Sequence, residues 1–289
     1  MNHSATRSLS RHLGKAFAYA VLIALSLVAA VPLFWLFTSS LKSDQQIFLH
    51  PMSLPEMSNL QWDNFSRAWT QGRFGRYFGN SVMVGLATVT LTVFASATAA
   101  YALARFRFRG SRPMLFFFLA GLMLPLQLSI VPLFFEMKWL NLLNSRIGLV
   151  TAYVAFGLPF GIFVLTGFFK TLPSSLYESA LIDGAGEFRA FWSIMLPTVK
   201  PGLVTVAIFS FLGAWNEFFM AFMFLSGGDS ESVRTLPLGL ANLTIVSQFR
   251  SDWGMAFAGL TLMILPTLVA YCFLQAQITR GITAGAVKG

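Results

Sequence analysis

Two clusters of polar residues interrupt a chain that is otherwise apolar. The first lies between Glu178 and Pro197 and carries Glu178, Ser179, Ala180, Asp183 and Gly184, then Ile194, Leu196 and Pro197. The second is Trp215-Asn216-Glu217, set inside a long hydrophobic run. Neither has the make-up of a reaction centre. His3, His12 and His50 are far apart and lack metal-ligand spacing. No Ser-His-Asp, Cys-His or paired-carboxylate arrangement converges in an apolar run, which argues against a membrane enzyme. No Gly-x4-Gly-Lys-Ser/Thr loop occurs either, so the chain has no visible means of cradling ATP phosphates. Energy for any work it does has to come from a partner or a gradient.

What must position these clusters follows from composition. Of 289 residues, 56% are hydrophobic and only 11% charged, with mean hydropathy +0.68. That leaves too little polar surface to cover a soluble globule of this size. Six stretches are long enough to cross a hydrocarbon layer about 30 Å thick as helices. They run from Ala16 to Phe37, Phe78 to Ala104, Met114 to Phe135, Ile147 to Phe169, Val204 to Leu225 and Met255 to Ala276. The expected fold is all-α: a polytopic membrane protein of six spans. The first apolar stretch runs past Val31-Pro32 into Phe37 without a small-residue cleavage site, and reads as an anchor. The lone Cys272 lies in the sixth span, so one chain holds no disulfide.

The net charge of +9 raises the question of nucleic acid, but its distribution fits membrane topology. With the N terminus inside, twelve of the 20 Lys and Arg fall on cytoplasmic segments, where only Glu178, Asp183 and Glu187 oppose them. The clearest inside marker is Arg105-Phe-Arg-Phe-Arg-Gly-Ser-Arg112, a loop suited to anionic headgroups. Both termini are expected in the cytoplasm. Residues 1–15 read as a disordered cytoplasmic arm, residues 16–279 as the six-helix transmembrane domain and residues 280–289 as a cytoplasmic tail. Two external loops, Thr38 to Tyr77 with Trp62 and Trp69, and Ser226 to Gly254 with Trp253, are either partner surfaces or plain linkers with interfacial anchors.

Within the bundle, Ser81 and Gly85, Ala95 and Ala99, and Ser96 and Ala100 stand four apart, the spacing that lets helices approach closely in lipid. Pro125, Pro132, Pro159 and Pro266 are expected to kink or break their spans. Residues 171–202 are expected to form a cytoplasmic helix, turn and helix. Ser175 and Glu178 have capping-box spacing for a helix starting at Leu176. Asp183-Gly184-Ala185-Gly186 ends it, and Phe188, Phe191, Trp192 and Met195 share a face of the next helix. The apolar side of such a pair is buried either on the membrane surface or in a cleft of another protein. Glu217 has two readings as well: it lines a path with Asn216 as hydrogen-bond donor and Trp215 as stacking face, or it fixes helix packing.

The spacing E-x-A-x3-G-x9-I-x-L-P resembles the cytoplasmic coupling loop of ABC importer permeases, the EAA motif, with Ser179 where the family has Ala. Leu172 to Gly186, Ile194 to Pro201, Trp215-Asn216-Glu217-Phe218 and the terminal Gly281 to Gly289 are similar to the carbohydrate-uptake branch, the second permease of maltose-type systems in particular. That resemblance implies a non-catalytic, multi-pass subunit of a bacterial inner membrane, passing a sugar or polyol delivered by an extracytoplasmic solute-binding protein. It implies a second homologous permease and two ATPase subunits that bind the ATP and Mg, with no cofactor and no nucleic acid on this chain. Glu178, Ser179, Ala180, Asp183, Gly184, Ile194, Leu196 and Pro197 would then dock in a groove of the ATPase. The competing expectation is a proton-coupled secondary transporter that uses Glu217 as carrier.

Overall fold

The computed structural model describes residues 3–227, 230–245 and 252–286. Among them every regular element is helical. Two compact units divide the chain: residues 1–72 with 243–262, and residues 73–242 with 263–289.

In the first unit, α1 (His3–Ser40) is followed by α2 (Asp44–Leu49) and α3 (Asp63–Thr70), and α14 (Trp253–Ala286) begins here. Residues expected to be a disordered arm are already helical from His3, because extending an existing helix is far cheaper than nucleating one. The connection after α1 is folded by polar ties to backbone. Trp35 donates to the Pro51 carbonyl at 2.8 Å, and Asn64 to the Ser40 and Lys42 carbonyls at 2.8 and 3.0 Å. Lys42 is fully buried and donates to the carbonyls of His50 and Pro51; burial pushes its ammonium below the usual lysine range. Arg67 pairs with Asp252. Trp62 and Trp69 remain exposed, as interfacial anchors would.

The second unit holds α4 (Phe74–Arg105), α5 (Ser111–Gly121), α6 (Leu126–Trp139), α7 (Arg146–Thr171), α8 (Ser174–Ile182), α9 (Glu187–Ala190), α10 (Leu196–Thr198), α11 (Lys200–Asn216), α12 (Phe219–Phe224) and α13 (Leu236–Ile245). Among the described residues of both units, four helices are long and apolar enough to cross a membrane, or up to six if each of two bent pairs counts as one span. The third expected span is such a pair: α5 and α6 meet at 102°. Of the four prolines, only Pro125 sits at a break, as N-cap of α6 with ψ 134°, while Pro132, Pro159 and Pro266 lie inside continuous helices. The fifth expected span is also interrupted. α11 has 17 residues, about 25 Å at a rise near 1.5 Å per residue, and the chain leaves helical geometry at Glu217 before α12 resumes.

α4 and α7 pack along a seam of small and hydroxylated residues. Thr88, Thr92 and Ser96 follow one another at four-residue spacing on α4, all buried, and Thr92 and Ser96 face Gly157 and Gly161 of α7. A Cβ on Gly161 would come within 2.2 Å of the Ser96 Oγ, and one on Gly157 within 3.1 Å of the Thr92 methyl. This is the close approach that small residues permit in lipid. The loop after α12 is not the plain linker that its turn residues suggest. Asn80 donates to the Ser232 and Arg234 carbonyls, and Ser81 accepts from Leu236 N–H at 2.8 Å. Leu236, Leu238 and Leu240 are buried. An apolar Leu-x-Leu-x-Leu run is better off inside than in water. Gly228, Asp229 and residues 246–251 of that loop, and the terminal Val287, Lys288 and Gly289, lie outside the described residues.

Candidate functional site

The segment after α7 is built from backbone chemistry upward. Pro173, with φ −58° and ψ 139°, occupies the N-cap position of α8, so the helix starts at Ser174 and the expected Ser175 capping box is not formed. A proline N-cap supplies the extended entry geometry by itself. The helix ends in a full Schellman motif. Ala185 N–H donates to the Ala180 carbonyl at 2.9 Å, Gly184 N–H to the Leu181 carbonyl at 3.0 Å, and Gly184 takes φ +79°. Glycine alone adopts that backbone without strain.

The second half departs from the expected regular helix. After α9 the residues Phe191–Met195 form a π turn, with Leu196 N–H reaching back to the Phe191 carbonyl. The wider turn splits the face assigned to Phe188, Phe191, Trp192 and Met195. Phe191 and Met195 are buried with Tyr177, Ala180 and Ala190 against Ala97, Tyr101, Leu165 and Phe169 of α4 and α7, whereas Phe188 is 77% exposed. Trp192 stacks on Phe94 with centroids 6.0 Å apart. The Arg105 guanidinium lies 3.8 Å from the centre of the Tyr177 ring, and the Tyr177 hydroxyl donates to Glu187. That hydrogen bond first, then burial, pushes the Tyr177 phenol up to about 12, so it stays a donor at neutral pH.

The sequence-predicted residues therefore separate. Ala180 faces inward; Ile194 and Leu196 are half-buried; Glu178, Ser179, Asp183, Gly184 and Pro197 are exposed, beside Ile182 at 84% exposure. Sequence reasoning puts Tyr177 on one face with Ala180 and Leu181, of which Leu181 is exposed, and misses its partners Tyr101, Arg105 and Glu187. Arg105 was visible only as one of four loop arginines, and Tyr177 and Glu187 meet across a turn that no helical periodicity links.

In the second cluster, Glu217 is extended, with φ −71° and ψ 127°. Its Oε1 accepts from Met220 N–H at 2.7 Å; its Oε2 accepts from Ala221 N–H at 3.1 Å and from the Tyr153 hydroxyl at 2.7 Å. One carboxylate thus caps α12 and ties it to α7. A cavity of about 370 Å³ lies alongside, lined by Thr88, Tyr153, Phe156, Phe160, Phe209 and Glu217 among others. Of the three residues expected on a path, only Glu217 reaches this cavity. Trp215 is 1% exposed, its Nε1 donates to the Met263 carbonyl, Phe211 stacks on its ring and Phe78 meets it at 79°. Core aromatics thus pack against the ring that the sequence reading offers to a sugar as a stacking face. Asn216 is exposed, and its amide is bonded to the Leu212 carbonyl of its own helix.

An all-helical bundle of apolar spans, with an outward-facing helix and turn fastened to two of them, defines a polytopic integral membrane protein. Residues 92–283 match the binding-protein-dependent transport system inner membrane component, and the chain belongs to that family. It is 41% identical over 273 residues to the diacetylchitobiose uptake system permease protein NgcG of Streptomyces coelicolor, covering 94% of this chain and 89% of the relative. It is 32% identical to the maltodextrin transport system permease protein MalD of Streptococcus pneumoniae over the full length of both. Among solved structures, a chain of a bacterial ABC transporter involved in import of the acidic polysaccharide alginate superposes with TM-score 0.81 at 21% identity, covering 92% of this chain and 97% of that one. The fold is therefore that of an ABC importer permease, and the family places the chain in the inner membrane. Family membership favours the permease over the proton-coupled carrier, and the Glu217 carboxylate is engaged by three donors as a cap and tie.

Proposed function

We propose that this permease passes a sugar or related polyol, delivered by an extracytoplasmic solute-binding protein, and that two partner ATPase subunits, holding the ATP and Mg, drive it through Glu178 to Pro197. A second permease, either a different chain or a second copy, completes the pathway; this chain carries out no covalent chemistry. Both termini face the cytoplasm in this reading, as the Lys and Arg distribution requires. The carbohydrate assignment is supported by relatives named for diacetylchitobiose, maltodextrin and trehalose.

The observation that carries the coupling reading is the division of the segment into two faces. Its inner face, Tyr177, Ala180, Phe191 and Met195, is locked to α4 and α7. Its outer face presents Glu178, Asp183, Ile182 and Phe188 to whatever docks there. A push on the outer face is transmitted through the Arg105–Tyr177–Glu187 contacts into α4, whose Thr88 lines the cavity beside Glu217. Closure of an ATPase dimer would then bias the bundle between inward-open and outward-open states.

The test is reconstitution. The complex in vesicles takes up labelled oligosaccharide only with ATP and the binding protein, and the purified chain alone hydrolyses nothing. Uptake by the chain alone under a pH gradient, abolished in Glu217→Gln, would overturn the proposal.

A further inference from the structure

The geometry points to a binding site for a phosphate-bearing anion where α4, α7 and the π turn meet. A cavity of about 150 Å³ there is lined by Tyr101, Arg105, Phe169, Lys170, Leu172 and Met195. It is separate from the cavity beside Glu217 and from the exposed face of α8.

Tyr101 supplies the first observation. Its ring is clamped by Phe106, Phe169 and Phe191, with centroids 5.7, 5.5 and 4.9 Å away, and the residue is 6% exposed. Its hydroxyl is buried without a protein hydrogen-bond partner. A buried phenol normally finds one, since leaving it unpaired costs stability. The second observation is the charge around it. Arg105 and Lys170 line the same cavity, and neither forms an ion pair among the described residues. The Arg105 guanidinium carbon lies 3.8 Å from the centre of the Tyr177 ring, and the guanidinium N–H donors make no hydrogen bond among the described residues. The nearby Glu187 carboxylate is engaged by the Tyr177 hydroxyl.

One phenolic O–H, one guanidinium and one ammonium make a set of donors with no matching acceptor. The complementary ligand is an anion with several acceptor oxygens, and a phosphate suits arginine and lysine together. The volume admits a phosphate group with its first ester carbons and is too small for a whole nucleotide. The site lies at the last turns of two apolar spans, the depth at which headgroups sit, so an anionic phospholipid and a soluble phosphate ester share the required chemistry. Either would bridge α4, α7 and Met195, and so stiffen the joint that carries the exposed α8.

The experiment uses the assembled complex in nanodiscs of phosphatidylcholine, with or without a minority of phosphatidylglycerol, and counts phospholipid retained after a detergent wash by native mass spectrometry. Phosphatidylglycerol is expected to be retained over phosphatidylcholine. Lys170→Gln should weaken retention about tenfold and Lys170→Arg should restore it. Tyr101→Phe, which keeps the ring packing, should weaken it about threefold. Failure of inorganic phosphate to displace the lipid identifies the headgroup as the ligand; displacement of the lipid by phosphate, with the same variants weakening phosphate binding, identifies a soluble phosphate at the same site. Equal retention of both lipids with no binding of phosphate overturns the site, as does unchanged binding in both Lys170→Gln and Tyr101→Phe. Because Lys170 is exposed at a helix end, its substitution tests the site even where Tyr101→Phe fails to assemble.

Discussion

The turn at Gly184 and the break at Glu217 both interrupt helices, and they do so by opposite means. At Gly184 the backbone satisfies itself: two main-chain bonds and a left-handed glycine close α8. Glu178 and Asp183, on the helix that runs into the turn, have exposed side chains that make no hydrogen bond or ion pair among the described residues. At Glu217 the backbone leaves two N–H groups of α12 open, and a side chain closes them. The acid there is spent on structure, and its charge is compensated by donors from α12 and α7. The difference separates two roles for carboxylates in one permease. Spare acids on a self-sufficient turn are free for a partner; an engaged acid at a break is a fastening.

The largest expected effect breaks the second half of that comparison. Glu217→Ala orphans Met220 N–H, Ala221 N–H and the Tyr153 hydroxyl, and should cost roughly 2–4 kcal/mol. The measurement is thermal unfolding of the purified complex in detergent, and unchanged stability would mean that the carboxylate is no fastening. Next, Gly184→Val forces a β-branched residue to φ +79° and should cost about 1–2 kcal/mol locally. The bundle should still insert, while the hydrolysis needed per sugar transported rises several-fold in vesicles; Gly184→Asn, which tolerates this backbone, should be milder.

Tyr153→Phe leaves the α12 cap in place and removes the tie to α7, about 1 kcal/mol. Amide exchange should speed up in α12 relative to α7, and equal exchange would show that the tie carries nothing. The smallest effect on stability belongs to Glu178→Ala, within about 0.5 kcal/mol as for most exposed positions. Its readout is retention of the ATPase on copurification, which should fall; a drop in melting temperature with full retention would move Glu178 from the partner-facing class to the structural one.

How much of this was legible in sequence depended on the range of the interaction. The apolar runs gave α1, α4, α7 and α14, since burial in lipid selects length and composition alone. Gly184 was legible because a left-handed turn demands a residue type. Pro125 was visible too, but nothing local separated it from Pro132, Pro159 and Pro266, which the helices absorb. Glu217 could be singled out as a costly acid, yet its partners were unreadable. Tyr153 lies 64 positions away, and the break in α11 that brings Met220 and Ala221 N–H within reach has no proline to announce it. The packing of Trp215 was half legible: Phe211 stands four residues earlier on the same helix, while Phe78 comes from α4 and no local pattern announces it.

The π turn at Phe191–Met195 is a reserve of one residue. A helix advances about 100° per residue, but a π turn uses an extra residue on a single revolution, so the turns before and after it keep their relative heading. Deleting one residue there, Ser193 for instance, would let the run relax to an ordinary helix with α8 and its exposed acids close to their present heading. A second deletion would find no wide turn to absorb it and would swing the outer face by about 100°, so this stretch should tolerate the loss of one residue far better than the loss of two.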